Sequence, residues 1–173
     1  IKDDVTAKTA RAFRQYGWDS KRVSHLPGMN SRLDELQSAI LSTKLPTLND
    51  DNARRARIAQ LYNNAFSDLP IRSPKTHPEA THGWHLYVTA LPERDALQKH
   101  LAKNGIAASI HYSLPVHKHP AWESASSTIL PHTEKAAQEV LSLPIYPELS
   151  NSDVESVIAT VRSFSGWHAS DPQ

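Results

Sequence analysis

From Ser31 to Phe66 the apolar residues return every three or four positions, and a single proline interrupts them. Leu33, Leu36, Ile40, Leu41 and Leu45 make the first run; Ile58, Leu61, Tyr62, Ala65 and Phe66 make the second. A stripe of that period lies along one side of an α-helix and predicts a buried helical face. Asp34 and Glu35 stand in the first turn, where the helix dipole favours negative charge. Pro46 carries no N–H and its ring crowds the preceding turn, so the helix should kink or break near Lys44-Leu45 and then resume. The spacing therefore predicts one long bent helix, or two collinear ones, over about residues 31 to 67.

The remaining elements are shorter. Val5, Ala10 and Phe13 give a weak helical pattern over 3–15, and Gly17 suits its C-terminal stop. The stretch "SDLPIRSPKTHPEATHG" reads as loop. In "WHLYVTAL", Trp84, Leu86, Val88 and Ala90 alternate with His85, Tyr87 and Thr89, which predicts a half-buried strand over 84–91. Pro92-Glu93 opens a helix that runs to Asn104-Gly105 with Leu97 and Leu101 inward, and "IAASIHY" over 106–112 reads as a second strand. An irregular stretch from Ser113 to Leu130, a helix over about 132–141, the extended "LSLPIYPELS" and a last helix follow. Ser150 with Asp153 resembles a capping box in which Asp replaces the usual Glu or Gln, and Val154, Val157, Ile158 and Val161 supply that helix's apolar face. The end from Gly166 reads as a polar, frayed tail.

Composition removes several classes of function. Nineteen basic against eighteen acidic residues leave no overall field that would draw a nucleic acid or a membrane surface. With no cysteine there is neither a disulfide nor a thiolate metal site, a usage compatible with a reducing cytoplasm. No apolar run approaches the roughly 20 residues of a membrane span, and "IKDDVTAKTARAFRQYG" lacks the apolar core of a signal peptide. A soluble, cytoplasmic protein is expected. The start at Ile1 rather than methionine adds the expectation that the chain is a piece of something longer.

Seven segments in this order and spacing then resemble a known family: "RAFRQYG", "GMNSRLDELQSAIL", "RRARIAQLY", "HLYV", "RDALQKHLAKNGI", "IHYSLPVH" and "LSLPIYPELS". Together they resemble the C-terminal half of DegT/DnrJ/StrS nucleotide-sugar aminotransferases, over roughly residues 5 to 163. The resemblance implies a fold type I enzyme that uses pyridoxal phosphate to move an amino group, usually from glutamate, onto a keto sugar of a nucleotide-sugar. It implies a homodimer with active sites at the subunit interface. The fold it implies is α+β: a short sheet, mixed or antiparallel, built from strands near 84–91 and 106–112 and covered by three helices, behind a long helix that bridges two domains. Residues 1–49 would be a remnant of the large domain, 50–165 the small C-terminal domain, and 166–173 a tail.

The same resemblance assigns roles. The loop matching Gly28-Met29-Asn30 reaches into the partner subunit's active site, where Asn30 would help hold the cofactor phosphate. Ser31 could cap the helix and leave the Asn30 amide to donate to an anion near the helix N-terminus. From the residues alone, Asn30 equally fits a turn or the cap itself. Arg32 would face the sugar-nucleotide diphosphate, as a guanidinium suits phosphate oxygens, or would be a solvated first-turn arginine. His111 and Tyr112 would lie at the mouth of the substrate site. A rival grouping of His111, His117 and His119 as metal ligands lacks the usual spacing and has no nearby carboxylate but Glu123, so no metal is expected. His77, His82 and His85 read as loop and strand residues, and the "RRAR" of 54–57 as a solvated basic face.

What the sequence lacks bears on activity. Transamination needs a lysine for the Schiff base and an acid for the pyridine nitrogen. In the family both precede the segment matching residues 1–17, and neither Lys2 nor Lys8 matches the catalytic position. No catalytic residue is therefore assigned, and no pyridoxal phosphate is expected on this chain alone. Two functions stay open: a C-terminal fragment of a sugar aminotransferase, inactive by itself, or a non-catalytic module derived from one that self-associates or binds a partner. Either way the helices before residue 50 should present apolar surface, with oligomerisation through residues 1–50.

Overall fold

The computed structural model describes residues 2–121 and 128–168. Two compact units divide the chain, residues 1–48 and residues 49–173.

In the first unit, helix α1 (Asp4–Phe13) starts where the Asp3 carboxylate accepts the Thr6 N–H at 2.6 Å. It ends at Tyr16 and Gly17, both in the left-handed region (φ 61° and 74°), with the Gly17 N–H donating back to the Ala12 carbonyl at 2.8 Å. The chain then loops out and returns across itself. A Cβ on Gly28 would lie 2.1 Å from the Gly17 nitrogen, and one on Gly17 would lie 1.8 Å from the Leu26 carbonyl oxygen, so this crossing admits only glycine. Helix α2 (Glu35–Lys44) follows, and Leu45–Thr47 tighten into a 3-10 turn around Pro46 before helix α3 (Leu48–Ala65). The expected interruption at Pro46 is thus present. The expected start is not, because the first helical residue is Glu35 rather than one near Ser31, and Asp34 stands at the N-cap without a side-chain bond.

No residue of α1 or α2 is buried. Leu33, Leu36, Ile40, Leu41 and Leu45, predicted to be an inward face, are each more than half exposed. The period places them together; within residues 1–48 nothing covers them. The expectation of exposed apolar surface before residue 50 describes what is found.

The second unit holds the core. Ile58, Ala59 and Tyr62 of α3 and Phe66 just beyond it pack with Tyr87, Leu91, Leu97, Leu101, Leu141 and Val154. Strand β1 (Tyr87–Ala90) pairs antiparallel with β2 (Val140–Leu143), Tyr87 opposite Leu143 and Thr89 opposite Leu141. Helices α4 (Arg94–Lys103), α5 (Pro131–Glu139) and α6 (Asn151–Arg162) complete the unit. Gly105, at φ 76°, ends α4 where expected. The Ser150 hydroxyl accepts the Asp153 N–H at 3.1 Å, as the sequence suggested. The Asp153 carboxylate, a methylene shorter than Glu, closes on the Ser150 hydroxyl at 2.6 Å instead of reaching the backbone.

Five expectations need correction here. The strand over 84–91 begins only at Tyr87, because Trp84 sits at φ 47°, with its N–H on His82 Nδ1 at 2.9 Å, and cannot continue an extended chain. Its face is also reversed. Tyr87 and Thr89 are buried while Val88 and Ala90 are partly exposed, and the inward hydroxyls are satisfied by Asn63 (2.8 Å) and the Leu141 carbonyl (3.1 Å). The segment 106–112 forms no strand: Ser109 alone pairs, on the free edge of β2 with Ser142, and β2 takes the place beside β1 that the sequence assigned to 106–112. The start of the expected tail is ordered, since Ser165–His168 make a 3-10 turn and Trp167 Nε1 donates to the Val161 carbonyl at 2.8 Å, while residues 169–173 lie outside the described residues. The guanidinium of Arg54 is not merely solvated, as it donates to the Leu149 carbonyl at 2.6 Å and to Asn151 at 2.9 Å.

Candidate functional site

The outward face of the small sheet carries a cleft. Ser109 exchanges two backbone hydrogen bonds with Ser142, at 3.1 and 2.8 Å, which holds the following segment against β2. Two residues on, His111 Nδ1 lies 3.0 Å from the Ser142 hydroxyl. Val88 and Ala90 pair with Ser142 and Val140, so Ser142 and Val140 share the face opposite the core. Residues 111–119 then fold along α5, whose Ala136 and Ala137 form the other wall, and a cavity of about 400 Å³ opens between them. Leu114, Val116 and Val140 make it chiefly apolar, with His111 and His119 as its imidazoles and Tyr112 at its edge, 83% exposed. Since Nδ1 of His111 is engaged by Ser142, a ligand in the cleft would meet Nε2.

The position of α5 is fixed from behind. Arg94, buried at the start of α4, donates to the Ala137 and Val140 carbonyls at 3.3 and 3.0 Å, satisfying groups that the helix end leaves without partners. In the first turn of α5, Glu134 meets the buried His117, whose Nε2 lies 3.0 Å from the carboxylate; that carboxylate also accepts the Leu130 N–H at 3.2 Å and lies 3.6 Å from Lys118 Nζ. The His117 imidazole first, then the Leu130 N–H and the Lys118 charge, hold the Glu134 carboxyl below the usual carboxylate range.

In the first unit, Asn30 and Arg32 lie on the returning strand of the backbone crossing. Met29 N–H donates to Phe13 at 2.8 Å, Tyr16 N–H to Met29 at 3.1 Å, and Ser31 N–H to Arg14 at 3.0 Å. Arg14 Nε donates to the Ser31 carbonyl at 3.1 Å. Asn30 is bridged to Gln15, and its side chain and that of Arg32 are exposed. Ser31 does not cap the helix. With α2 starting at Glu35, the argument that Asn30 faces an anion beside a helix N-terminus is corrected: a backbone crossing, not a cap, presents this residue. Gly17 and Gly28 are the signal that could have shown it, two of only five glycines, one on each side of the loop.

The histidines weighed as metal ligands each have other partners: His111 has Ser142, His117 has Glu134 and His119 has the Leu114 carbonyl at 3.2 Å. Among the described residues no three His, Asp or Glu side chains gather into a metal-holding group; Glu123 lies outside the described residues. His77 and His82 sit in loops, each accepting a backbone N–H two residues on, and His85 falls in a bend before the strand. The Glu134 to His117 link has no signature in the sequence, because its partners stand 17 residues apart with no local pattern joining them. No helix among the described residues is long and apolar enough to cross a membrane.

Known proteins match this chain along nearly its whole length. The DegT/DnrJ/EryC1/StrS aminotransferase family matches residues 1–162. The erythromycin biosynthesis sensory transduction protein EryC1 of Saccharopolyspora erythraea is 44% identical over 164 residues, covering 93% of this chain and 45% of that protein. The dTDP-3-amino-3,6-dideoxy-alpha-D-galactopyranose transaminase of Aneurinibacillus thermoaerophilus is 40% identical over 162 residues, 94% of this chain and 45% of its own length. Among solved structures, DesV of S. venezuelae in complex with a ketimine intermediate superposes with a TM-score of 0.87 at 39% identity, over 92% of this chain and 44% of that one. The chain thus spans about 45% of the length of the curated relatives it matches. Its small antiparallel sheet with surrounding helices is the α+β arrangement of part of a fold type I aminotransferase. The chain belongs to the DegT/DnrJ/EryC1/StrS aminotransferase family.

Proposed function

We propose that this chain is the C-terminal portion of a pyridoxal phosphate-dependent aminotransferase acting on a keto sugar of a nucleotide-sugar, and that by itself it does not transaminate. The family match over residues 1–162 carries the reading, as that span includes every residue assigned a role here. Arg32 would donate to the diphosphate as a charged fork. His111, through Nε2, and Tyr112 would contact the nucleotide-sugar at the cleft beside α5. Asn30, on the backbone crossing, would donate its amide to the cofactor phosphate. A homodimer in the cytoplasm completes the proposal, with glutamate as the usual amino donor.

Bound pyridoxal phosphate supplies the electron sink that lets an amino group leave one carbon and join another. A lysine that carries it is made nucleophilic near neutral pH by desolvation or by a neighbouring cationic group. Among the described residues no lysine is buried, and the buried polar side chains are Thr89, Arg94, His117 and Ser142, with no carboxylate to meet a pyridine nitrogen. These residues do not compose a Schiff-base site, which supports the reading that the isolated chain is inactive.

The test has two parts. Pyridoxal phosphate titrated into this chain should give no Schiff-base absorbance that one Lys→Ala change removes. Joined to the N-terminal part of the Aneurinibacillus thermoaerophilus transaminase, the chain should support amino transfer, and Arg32→Ala should raise the KM for nucleotide-sugar about tenfold, the scale of one charged hydrogen bond. An assembled protein that binds pyridoxal phosphate but is indifferent to both Arg32→Ala and His111→Ala would sink the assignment. The exposed apolar residues of α2 favour a second reading, a non-catalytic self-associating module; a monomer by sedimentation at high concentration would remove it.

A further inference from the structure

We propose that Glu134 is a positioning residue, which through its hydrogen bond to the buried His117 imidazole holds residues 111–119 against α5 and so sets where His111 and Tyr112 stand. This rests on the function proposed above only for what His111 and Tyr112 touch; the positioning itself stands on geometry. Residues 111–119 carry an anchor at each end, with Lys118 Nζ adding its own contact to Glu134 at 3.6 Å beside the second. One is at their start, where Ser109 pairs with Ser142 and His111 meets the Ser142 hydroxyl. The other is His117, the one buried residue of the segment, at 8% exposure, whose Nε2 lies 3.0 Å from Glu134. Between the anchors the chain has little else to hold it: Tyr112, Leu114 and Val116 are all exposed large side chains.

Glu134 is well placed to serve as the anchor's fixed end. It lies in the first turn of α5, where the helix dipole favours its charge, and its carboxylate binds the Leu130 N–H as well as His117. Its helix is in turn held by Arg94 from the other side. A buried imidazole deprived of its partner must lose that burial or keep an unsatisfied polar nitrogen. Removal of the carboxylate therefore releases the segment from its far end, while the Ser109 and Ser142 pair retains the near end. Glu134 does not line the cleft, so its effect on a ligand runs through the segment it holds.

Hydrogen exchange on this chain tests the positioning without reference to any activity. Glu134→Ala should raise exchange about tenfold or more at the Lys118 and His119 amides, which close the 3-10 turn, and leave the β1 and β2 amides unchanged. Glu134→Gln keeps an acceptor oxygen for His117 and should restore most of the protection, which a nonspecific loss of fold would not allow. Equal exchange in all three proteins, or loosening in Glu134→Ala that Glu134→Gln fails to restore, overturns the proposal. In the joined enzyme, Glu134→Ala and His117→Ala should each raise the nucleotide-sugar KM several-fold, with no further rise in the double variant and no change in the KM for the amino donor. If His111→Ala and Tyr112→Ala leave that KM unmoved, the assignment of the cleft to nucleotide-sugar fails, while the exchange result still decides whether Glu134 positions the segment.

Discussion

Gly28→Ala tests whether a backbone crossing presents Asn30. The added Cβ would sit 2.1 Å from the Gly17 nitrogen, 2.5 Å from the Tyr16 carbonyl carbon and 2.7 Å from the Phe13 oxygen, all backbone atoms that no rotamer change can move. One strand of the crossing must retreat by about 1 Å to reach an ordinary contact. The hydrogen bonds that join the strands, Met29 to Phe13 at 2.8 Å, Tyr16 to Met29 at 3.1 Å and Ser31 to Arg14 at 3.0 Å, would then stretch past the range in which they hold. Three backbone bonds at about 1 kcal/mol each give a loss of about 3 kcal/mol, the upper part of the range for overpacked sites. Hydrogen exchange reads this directly: the Tyr16, Met29 and Ser31 amides should lose about a hundredfold in protection, or all they have. Residues 84–162 serve as the internal reference. Unchanged protection at these three amides would mean that the strands do not cross as described, and the placement of Asn30 would fall with it.

Other perturbations probe the second unit. Leu101→Ala removes a fully buried side chain from the core and should lower stability by about 2–5 kcal/mol, seen as a lower urea midpoint. Tyr62→Phe leaves the Pro144 carbonyl without its 2.9 Å donor and should cost about 1 kcal/mol in the same assay. Burial raises the Tyr62 phenol above its ordinary range, with Tyr87 and Tyr146 adding to it. A raised folded value favours the neutral form, so its contribution is whole below the ordinary tyrosine range near pH 10 and is lost as pH rises beyond it. Wild type should thus lose more stability than Tyr62→Phe above that pH. Asp68, held low chiefly by its hydrogen bonds to Arg162, behaves in the opposite sense: its contribution is present above the ordinary carboxylate value and lost as pH falls through the lowered one. Asp68→Asn should flatten the acid limb of a stability profile.

Features that were readable in the sequence have their physics inside a few consecutive residues. Pro46 breaks the helix through its own missing N–H, and Ser150 caps α6 through an N–H three residues away. The face of β1 is not legible in the sequence because it is decided at a distance. Alternation alone puts Val88 and Ala90 inward, yet Tyr87 and Thr89 go in because Asn63 and the Leu141 carbonyl stand ready for their hydroxyls, 24 and 52 residues away. The same holds for β2. "VLSL" is too short to tell a strand from the end of a helix by period, and only its pairing with β1 settles the matter. Segment 106–112 has the composition of a strand but pairs at Ser109 alone, and this frees His111 and Tyr112 to turn toward the cleft.

The stripe on α2 marks a different limit. A period of three to four residues states that one side of a helix is apolar; it does not state what lies against that side. On α3 the period leads most of its stripe to burial, since Ile58, Tyr62 and Phe66 meet the sheet and α6 in a shared core, while Leu61 stays 44% exposed. On α2 and the turn that follows it the same pattern yields Leu36 at 74% and Leu45 at 67% exposure. A water-facing row of leucines gains nothing for a monomer of this chain, and apolar residues exposed along one helix side are what a covering surface would bury. Under the proposed function that side faces the N-terminal part of an aminotransferase, so joining such a part should bury Leu36 and Ile40. Cysteine introduced at either position should then react with a soluble thiol reagent in this chain and resist it in the joined enzyme. Equal reactivity in both would separate the apolar stripe from the enzyme's architecture and leave a module that self-associates or binds a partner.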